Sequence, residues 1–165
     1  MTINLKNFLN DKNKMSKMGE FQNLKQIEGL EMSSVSGDLY GNGRDDLSLF
    51  YFSKGANYAS VNTTNSIISE TIAWNNNSHK KSIKGLLVNT KNANTFTGSQ
   101  GAEALDSMSK ILAKTLTLKE SQKEDGTSQV IKPNEILFAS TGVIGEKFPT
   151  QQIKATIPNL VDKLR

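Results

Sequence analysis

Short apolar runs bounded by polar, glycine or proline residues are the first feature of the sequence. They lie at 47–52, 83–88 and 136–139. Each run has the length and the boundary residues that are typical of a buried strand. A further strand is expected at 56–61, after a turn at Gly55. Asn42-Gly43 lies ahead of the first run and is a strong signal for a hairpin.

Two segments carry apolar residues at helical spacing. The first spans 101–117, and Thr97-Gly98-Ser99-Gln100 ahead of it has the pattern of a capping box. The second covers 153–164, where Pro158 is expected to break or restart the helix. The pattern at 67–74 leaves helix and strand both open.

The alternation of strands with long helices predicts an α/β or α+β fold. A chain of 165 residues has room for one domain with a hydrophobic core. Residues 1–20 are polar and rich in lysine and asparagine, so we expect an N-terminal arm there. The folded domain is expected to cover 21–165, with a charged loop at 119–129.

Composition and charge exclude several classes of protein. The chain has no cysteine, which rules out disulfides. Its single histidine, His79, argues against a histidine triad or a histidine-based metal cluster. The net charge of +4 is scattered, and Lys80-Lys81 with Lys84 is best read as a solvated loop, so no nucleic-acid partner is expected. Without a signal-like start or an apolar run that spans a membrane, we expect a cytoplasmic protein with no membrane partner.

Two motif matches are too incomplete to carry chemistry. Asp38 to Leu49 resembles a calcium loop, but Tyr40 and Leu49 stand where oxygen ligands are needed. The segment 142–147 resembles a phosphate loop, but its glycine spacing is too short and no Ser or Thr follows Lys147. We therefore expect neither a metal nor a cofactor.

Three clusters of small polar residues each follow an apolar strand. They lie at 62–65, 89–98 and 140–142. Any one of them alone is typical of an ordinary turn, because Asn, Thr and Gly bond to local backbone. The third combines backbone N–H groups with a threonine hydroxyl at a strand end, which is a natural place to hold negative charge.

Together with the glycine-rich segment at 37–49, these clusters resemble the ornithine acetyltransferase family, also called glutamate N-acetyltransferase. The matching stretches are Gly43-Arg44-Asp45-Asp46-Leu47, Thr63-Thr64-Asn65, Val88-Asn89, Asn92-Ala93-Asn94, Thr97-Gly98, Gln100-Gly101 and Ser140-Thr141-Gly142-Val143-Ile144-Gly145. The resemblance runs from about residue 27 to the C-terminus. Where the family usually has Ser-Gly this chain has Thr90-Lys91, and where Ala-Cys is common it has Thr95-Phe96.

The resemblance implies an N-terminal-nucleophile-like layered fold and an acyl-transfer mechanism. In the family, a precursor cuts itself before a threonine, and that threonine takes the acetyl group of N-acetylornithine. Glutamate then resolves the acetyl-enzyme, and some members also accept acetyl-CoA. Carried over to this chain, the Thr141 hydroxyl and the Gly142 backbone N–H form the oxyanion hole. The resemblance assigns no substrate-binding residue here.

The threonine nucleophile of the family has no counterpart in this sequence. Its Thr-Thr-Asp-Thr segment and the Met-Ala-Thr cleavage site also have none. The expected partner is therefore the C-terminal part or β chain, within an assembly of two αβ units, and the chain alone is expected to be inactive with a large exposed apolar surface. The alternatives are a truncated relic or binding module without catalysis, and a generic nucleotide-binding domain.

Overall fold

A computed structural model describes residues 25–78, 82–123 and 128–165. The predicted arm at 1–20 lies outside these ranges, as does the predicted start of the domain at residue 21. Within the described ranges, no helix is both long enough and apolar enough to cross a bilayer.

A four-stranded sheet forms the centre of the fold. Its strands are β1 (Leu30–Val35), β2 (Leu47–Ala56), β3 (Ile83–Asn89) and β4 (Ile136–Ser140), in the order β1-β2-β3-β4. The first three strands are antiparallel neighbours, whereas β4 runs parallel to β3. A parallel neighbour requires a long crossover connection, which a helix provides here.

Three helices accompany the sheet: α1 (Glu70–Ser78), α2 (Gly98–Ser121) and α3 (Thr150–Asp162), with a short 3-10 turn at Pro133–Glu135. The crossover between β3 and β4 contains α2. The predicted mixed α/β class is confirmed. The pattern had left 67–74 open, and the structure places a helix from Glu70 onward.

The core lies between one face of the sheet and the apolar stripes of α2 and α3. Its largest fully buried side chains are Tyr51, Leu47, Leu49, Leu105, Met108, Leu112, Leu116, Ile136, Ile153, Ile157, Leu160 and Val161. Tyr51 donates a hydrogen bond of 2.5 Å to Glu120, which also pairs with Lys123 at 2.7 Å. Burial, followed by this hydrogen bond, raises the pKa of Tyr51. The buried hydroxyl and carboxylate thus satisfy each other.

Three strand predictions are confirmed and one is wrong. The predicted strands at 83–88 and 136–139 correspond to β3 and β4, and the predicted 47–52 strand is the first part of β2. The second strand at 56–61 does not exist, because β2 continues through Gly55 to Ala56 with an irregular register after Tyr51. Val61 is fully exposed, so a strand there has no surface to pack against.

The hairpin between β1 and β2 forms, but not through a two-residue turn. Its connection runs from 36 to 46, and Gly41 and Gly43 both have positive φ there. The hairpin that Asn42-Gly43 predicts is therefore confirmed.

Three details of the helix predictions are wrong. The capping box ahead of α2 does not form, because the Thr97 hydroxyl donates to Asn94 Oδ1 at 2.6 Å and makes no cap. Helix α2 continues to Ser121, so the predicted loop at 119–129 begins later. Pro158 lies inside α3 without breaking it. Pro158 is exposed, which places its ring on the solvent side of α3 and away from the core.

Both edges of the sheet are partly closed by other segments. At β4, the Asn75 amide group imitates a strand, donating to Phe138 O at 2.8 Å and accepting from Phe138 N at 3.0 Å. At β1, Met32 exchanges two backbone hydrogen bonds with Arg165. Covering edges in this way limits pairing with other chains.

The second face of the sheet carries a set of apolar residues outside the described core cluster, beside the hydrogen-bonded pair Ser34 and Ser48. A row of paired residues crosses it from β1 to β3, and the register joins Met32 to Phe50 and Phe50 to Leu86. Met32 is 37% exposed, while Phe50, Phe52, Leu86 and Val88 are half-buried. We call this set the open face. Only Met32 of this set is exposed, so the open face is a partly buried apolar surface.

Candidate functional site

Two of the three polar clusters meet where β3 and β4 end. Asn89 and Ser140 are register partners, and the loops that follow them run side by side. Thr141 N–H donates to Asn89 O at 3.1 Å, and Val143 N–H donates to Lys91 O at 2.7 Å. The pairing goes on from Ala93 N–H to Val143 O at 3.0 Å. The oxyanion residues predicted from the sequence therefore lie in a turn held by the asparagine-rich loop.

Gly142 brings the two loops closer than any side chain allows. Its φ is +134°, and a Cβ atom added there lies 2.0 Å from the Lys91 carbonyl oxygen and 2.8 Å from the Asn92 nitrogen. Glycine is therefore required at this position for steric reasons.

The two predicted donors are exposed and available. Within the described part of the chain, neither the Thr141 hydroxyl nor the Gly142 N–H has a hydrogen-bond partner. The hydrogen bonds of the neighbouring Thr141 and Val143 N–H groups fix the backbone on both sides. Two donors from adjacent residues on a fixed turn can stabilise a negative oxygen.

The asparagines next to the turn support the loop. Asn89 Nδ2 donates to Asn92 O at 2.9 Å, and Asn94 Nδ2 donates to Gly101 O at 3.1 Å. Asn92 Nδ2 donates to Glu146 Oε2 at 3.1 Å. All three asparagines are buried. Their amides replace the regular backbone hydrogen bonds that the loop lacks.

Asp46 connects the first motif to the same site. Its buried carboxylate accepts hydrogen bonds from Gly37 N–H at 2.6 Å and from Leu39 N–H at 2.7 Å. Its backbone carbonyl accepts from Thr90 N–H at 3.0 Å. The carboxylate is thus committed to backbone donors, and no group of three or more metal-ligating residues occurs among the described residues.

The cluster at 62–65 is not brought into the turn. Thr63 and Asn65 are exposed, and each accepts a hydrogen bond from a backbone N–H two residues further on. The start of α1 connects this loop to the site, since Glu70 N–H donates to Asn94 O at 2.9 Å and the Thr71 hydroxyl to Ser140 Oγ at 3.2 Å.

Lys91, Thr71 and the side chain of Asp46 are site residues whose roles the sequence did not show. Asp46 lies in a recognised motif, but its contact with Gly37 and Leu39 depends on the fold. Lys91 has φ +76°, a conformation that favours glycine, and the signal for it in the sequence is that the family usually has glycine at this position.

Replacing Asp46 with alanine should destabilise the protein by about 2–4 kcal/mol, because two buried N–H groups lose their acceptor. Asp45 provides the matched control, since it is adjacent in sequence but exposed. Urea unfolding of both alanine variants measures the difference. Equal midpoints for the two variants would show that the Asp46 carboxylate does not hold the loop.

A comparison with protein families gives a match to the ArgJ family over residues 31–165. The chain is 33% identical over 138 residues to the arginine biosynthesis bifunctional protein ArgJ of Gluconobacter oxydans, covering 82% of this chain and 29% of the relative. The Gloeobacter violaceus protein of the same name is 30% identical over 137 residues, covering 82% and 30%. The chain thus spans about three tenths of the length of these curated relatives.

Two solved structures share the fold. The arginine biosynthesis bifunctional protein from Bacillus halodurans gives a TM-score of 0.67 at 23% identity, covering 79% of this chain and 62% of that one. Ornithine acetyltransferase from Mycobacterium tuberculosis, solved with ornithine, gives 0.69 at 22% identity, covering 84% and 68%. The family resemblance drawn from the motifs is confirmed, and because the family match covers most of its length, the chain belongs to the ArgJ family.

Proposed function

We propose that this chain supplies the oxyanion hole of an acetyltransferase that moves an acetyl group from N2-acetylornithine to glutamate. The observation that carries the proposal is the pair of free donors, the Thr141 hydroxyl and the Gly142 N–H, on a turn with a fixed backbone. Membership of the ArgJ family supports the substrate class.

The donors act when charge develops during acyl transfer. Attack on the acetyl carbonyl gives a tetrahedral intermediate whose oxygen carries a full negative charge. Donors fixed in advance stabilise that oxygen without having to reorganise, and one such donor is typically worth about 10²–10³ in kcat. The same donors serve a second time when glutamate attacks the acetyl-enzyme, because that step passes through a similar intermediate.

The nucleophile in this proposal is a threonine at the start of a second polypeptide. Its own α-amine can take the proton of its hydroxyl, so the reaction requires neither a histidine nor a cysteine. We propose acetyl-CoA as a second acetyl donor for this reaction, since some members of the family accept it.

The open face is the proposed docking surface for that second polypeptide. Apolar patches of this kind are rarely left uncovered in a stable protein. The relatives carry about seven tenths of their length outside the match, which provides enough chain to cover the face. On this proposal the isolated chain has no acetyltransferase activity, and the full assembly contains two such pairs.

Co-expression with the remaining portion of the Gluconobacter oxydans relative tests the proposal. We expect the two polypeptides to purify together, the second to begin with threonine by mass spectrometry, and the pair to transfer acetyl from N2-acetylornithine to glutamate. A chain that stays a lone 18.1 kDa species, both in this experiment and in native material, with no transfer, would support a binding module without catalysis.

A further inference from the structure

Lys91 contacts both the candidate oxyanion turn and the loop that Asp46 holds. Its carbonyl oxygen accepts the Val143 N–H at 2.7 Å and lies directly against Gly142. Its ammonium group donates to the carbonyl oxygen of Leu39. The side chain is half-buried, so this contact is partly shielded from water.

The backbone of Lys91 adopts a left-handed conformation, with φ +76°. The left-handed region is unfavourable for a residue with a Cβ atom, so surrounding contacts must hold the residue in it. The conformation is what turns the Lys91 carbonyl toward Val143. A relaxed backbone at this position therefore releases the hydrogen bond that orients Gly142.

The contacts of Lys91 close a ring of hydrogen bonds. Leu39 is held by the Asp46 carboxylate, and the Asp46 carbonyl holds Thr90, which precedes Lys91. The ammonium group of Lys91 returns to Leu39 and completes the ring. The ring fixes both the side chain and the backbone of Lys91 relative to β2.

We propose that Lys91 is a positioning residue for the oxyanion turn, whose ammonium group holds its own backbone left-handed and thereby aims the Gly142 N–H. This inference rests on the proposed function for its catalytic meaning. Lys91 itself does not touch the reacting atoms.

Amide hydrogen exchange on the full chain tests the positioning directly, with Val143 as the reporter. Lys91→Met removes the ammonium group and should raise the Val143 exchange rate roughly tenfold or more, because a charged hydrogen bond is lost. Lys91→Arg keeps a charged donor and should stay close to wild type. The Thr141 N–H, which is bonded to Asn89, should be unchanged in every variant.

Lys91→Gly separates positioning from simple support. Glycine adopts the left-handed region without strain, so it should protect Val143 better than Lys91→Met although it loses the whole side chain. If the Lys91 side chain only added contacts, Lys91→Gly would protect Val143 less than Lys91→Met, because glycine removes more of the side chain. Lys147→Met removes an exposed lysine nearby and serves as the charge control.

The proposal is overturned if Lys91→Met leaves Val143 exchange unchanged, or if Lys91→Gly exchanges faster than Lys91→Met. Should Lys91→Met not fold, Lys91→Leu, which also lacks a donor, takes its place with the same expectations. In the assembled enzyme, Lys91→Met should lower kcat with KM unchanged, because the oxyanion exists only after attack. If no acetyl transfer occurs, the proposed function fails, while the exchange result still decides the role of Lys91.

Discussion

Replacing Gly142 with alanine is expected to destabilise the protein by about 2–5 kcal/mol, the sum of a steric clash and an unfavourable backbone conformation. The new Cβ atom lies 2.0 Å from the Lys91 oxygen, and its nearest neighbours are backbone atoms of Lys91 and Asn92, which cannot rotate away. The two loops must therefore separate. Separation also breaks the Val143 hydrogen bond, so the donors lose their fixed orientation.

Gly145 offers a matched control for this substitution. Its φ is also positive, at +79°, but no atom lies within 4 Å of an added Cβ. Gly145→Ala should therefore cost only about 1 kcal/mol, from backbone strain alone. Equilibrium urea unfolding of both variants gives the comparison. Equal losses for the two alanines would mean that the close approach of Gly142 to Lys91 is not important for stability.

Regular elements with strong apolar patterns could be predicted from the sequence. Strand β4 is predicted because its short apolar run has turn residues at both ends, and the middle of α2 because its apolar residues recur at helical spacing. Helix α1 could not be assigned from its apolar pattern, because a polar residue on it makes a tertiary contact: Asn75 forms hydrogen bonds with the edge of β4. The strand expected at 56–61 failed because the pattern cannot show whether a neighbouring strand exists to pair with it.

The candidate site was predictable only in part. Thr141 and Gly142 follow a strand, and polar residues at strand ends often form sites, so their position could be inferred from order alone. The roles of Lys91 and Asp46 depend on contacts between segments far apart in sequence. The left-handed backbone of Lys91 has one signal in the sequence, the glycine that the family usually has there, whereas the Val143 and Leu39 contacts depend on the fold.

Substituting Thr141 is the other change with a large expected effect, and this effect is on catalysis. The hydroxyl is exposed and has no partner among the described residues, so its removal should leave stability unchanged. The Thr141 N–H still bonds to Asn89, which keeps the turn in place. A fall in activity without a fall in stability would therefore report on the hydroxyl itself.

The most direct test is the kcat for acetyl transfer from N2-acetylornithine to glutamate by the assembled enzyme carrying Thr141→Val, which keeps the shape of the side chain but removes its hydroxyl. We expect kcat to fall by about 10²–10³, as for other lost oxyanion donors. Thr141→Ser, which keeps a hydroxyl, should retain most of the activity. A Thr141→Val enzyme with the kcat of the wild type would contradict the assignment of Thr141 to the oxyanion hole.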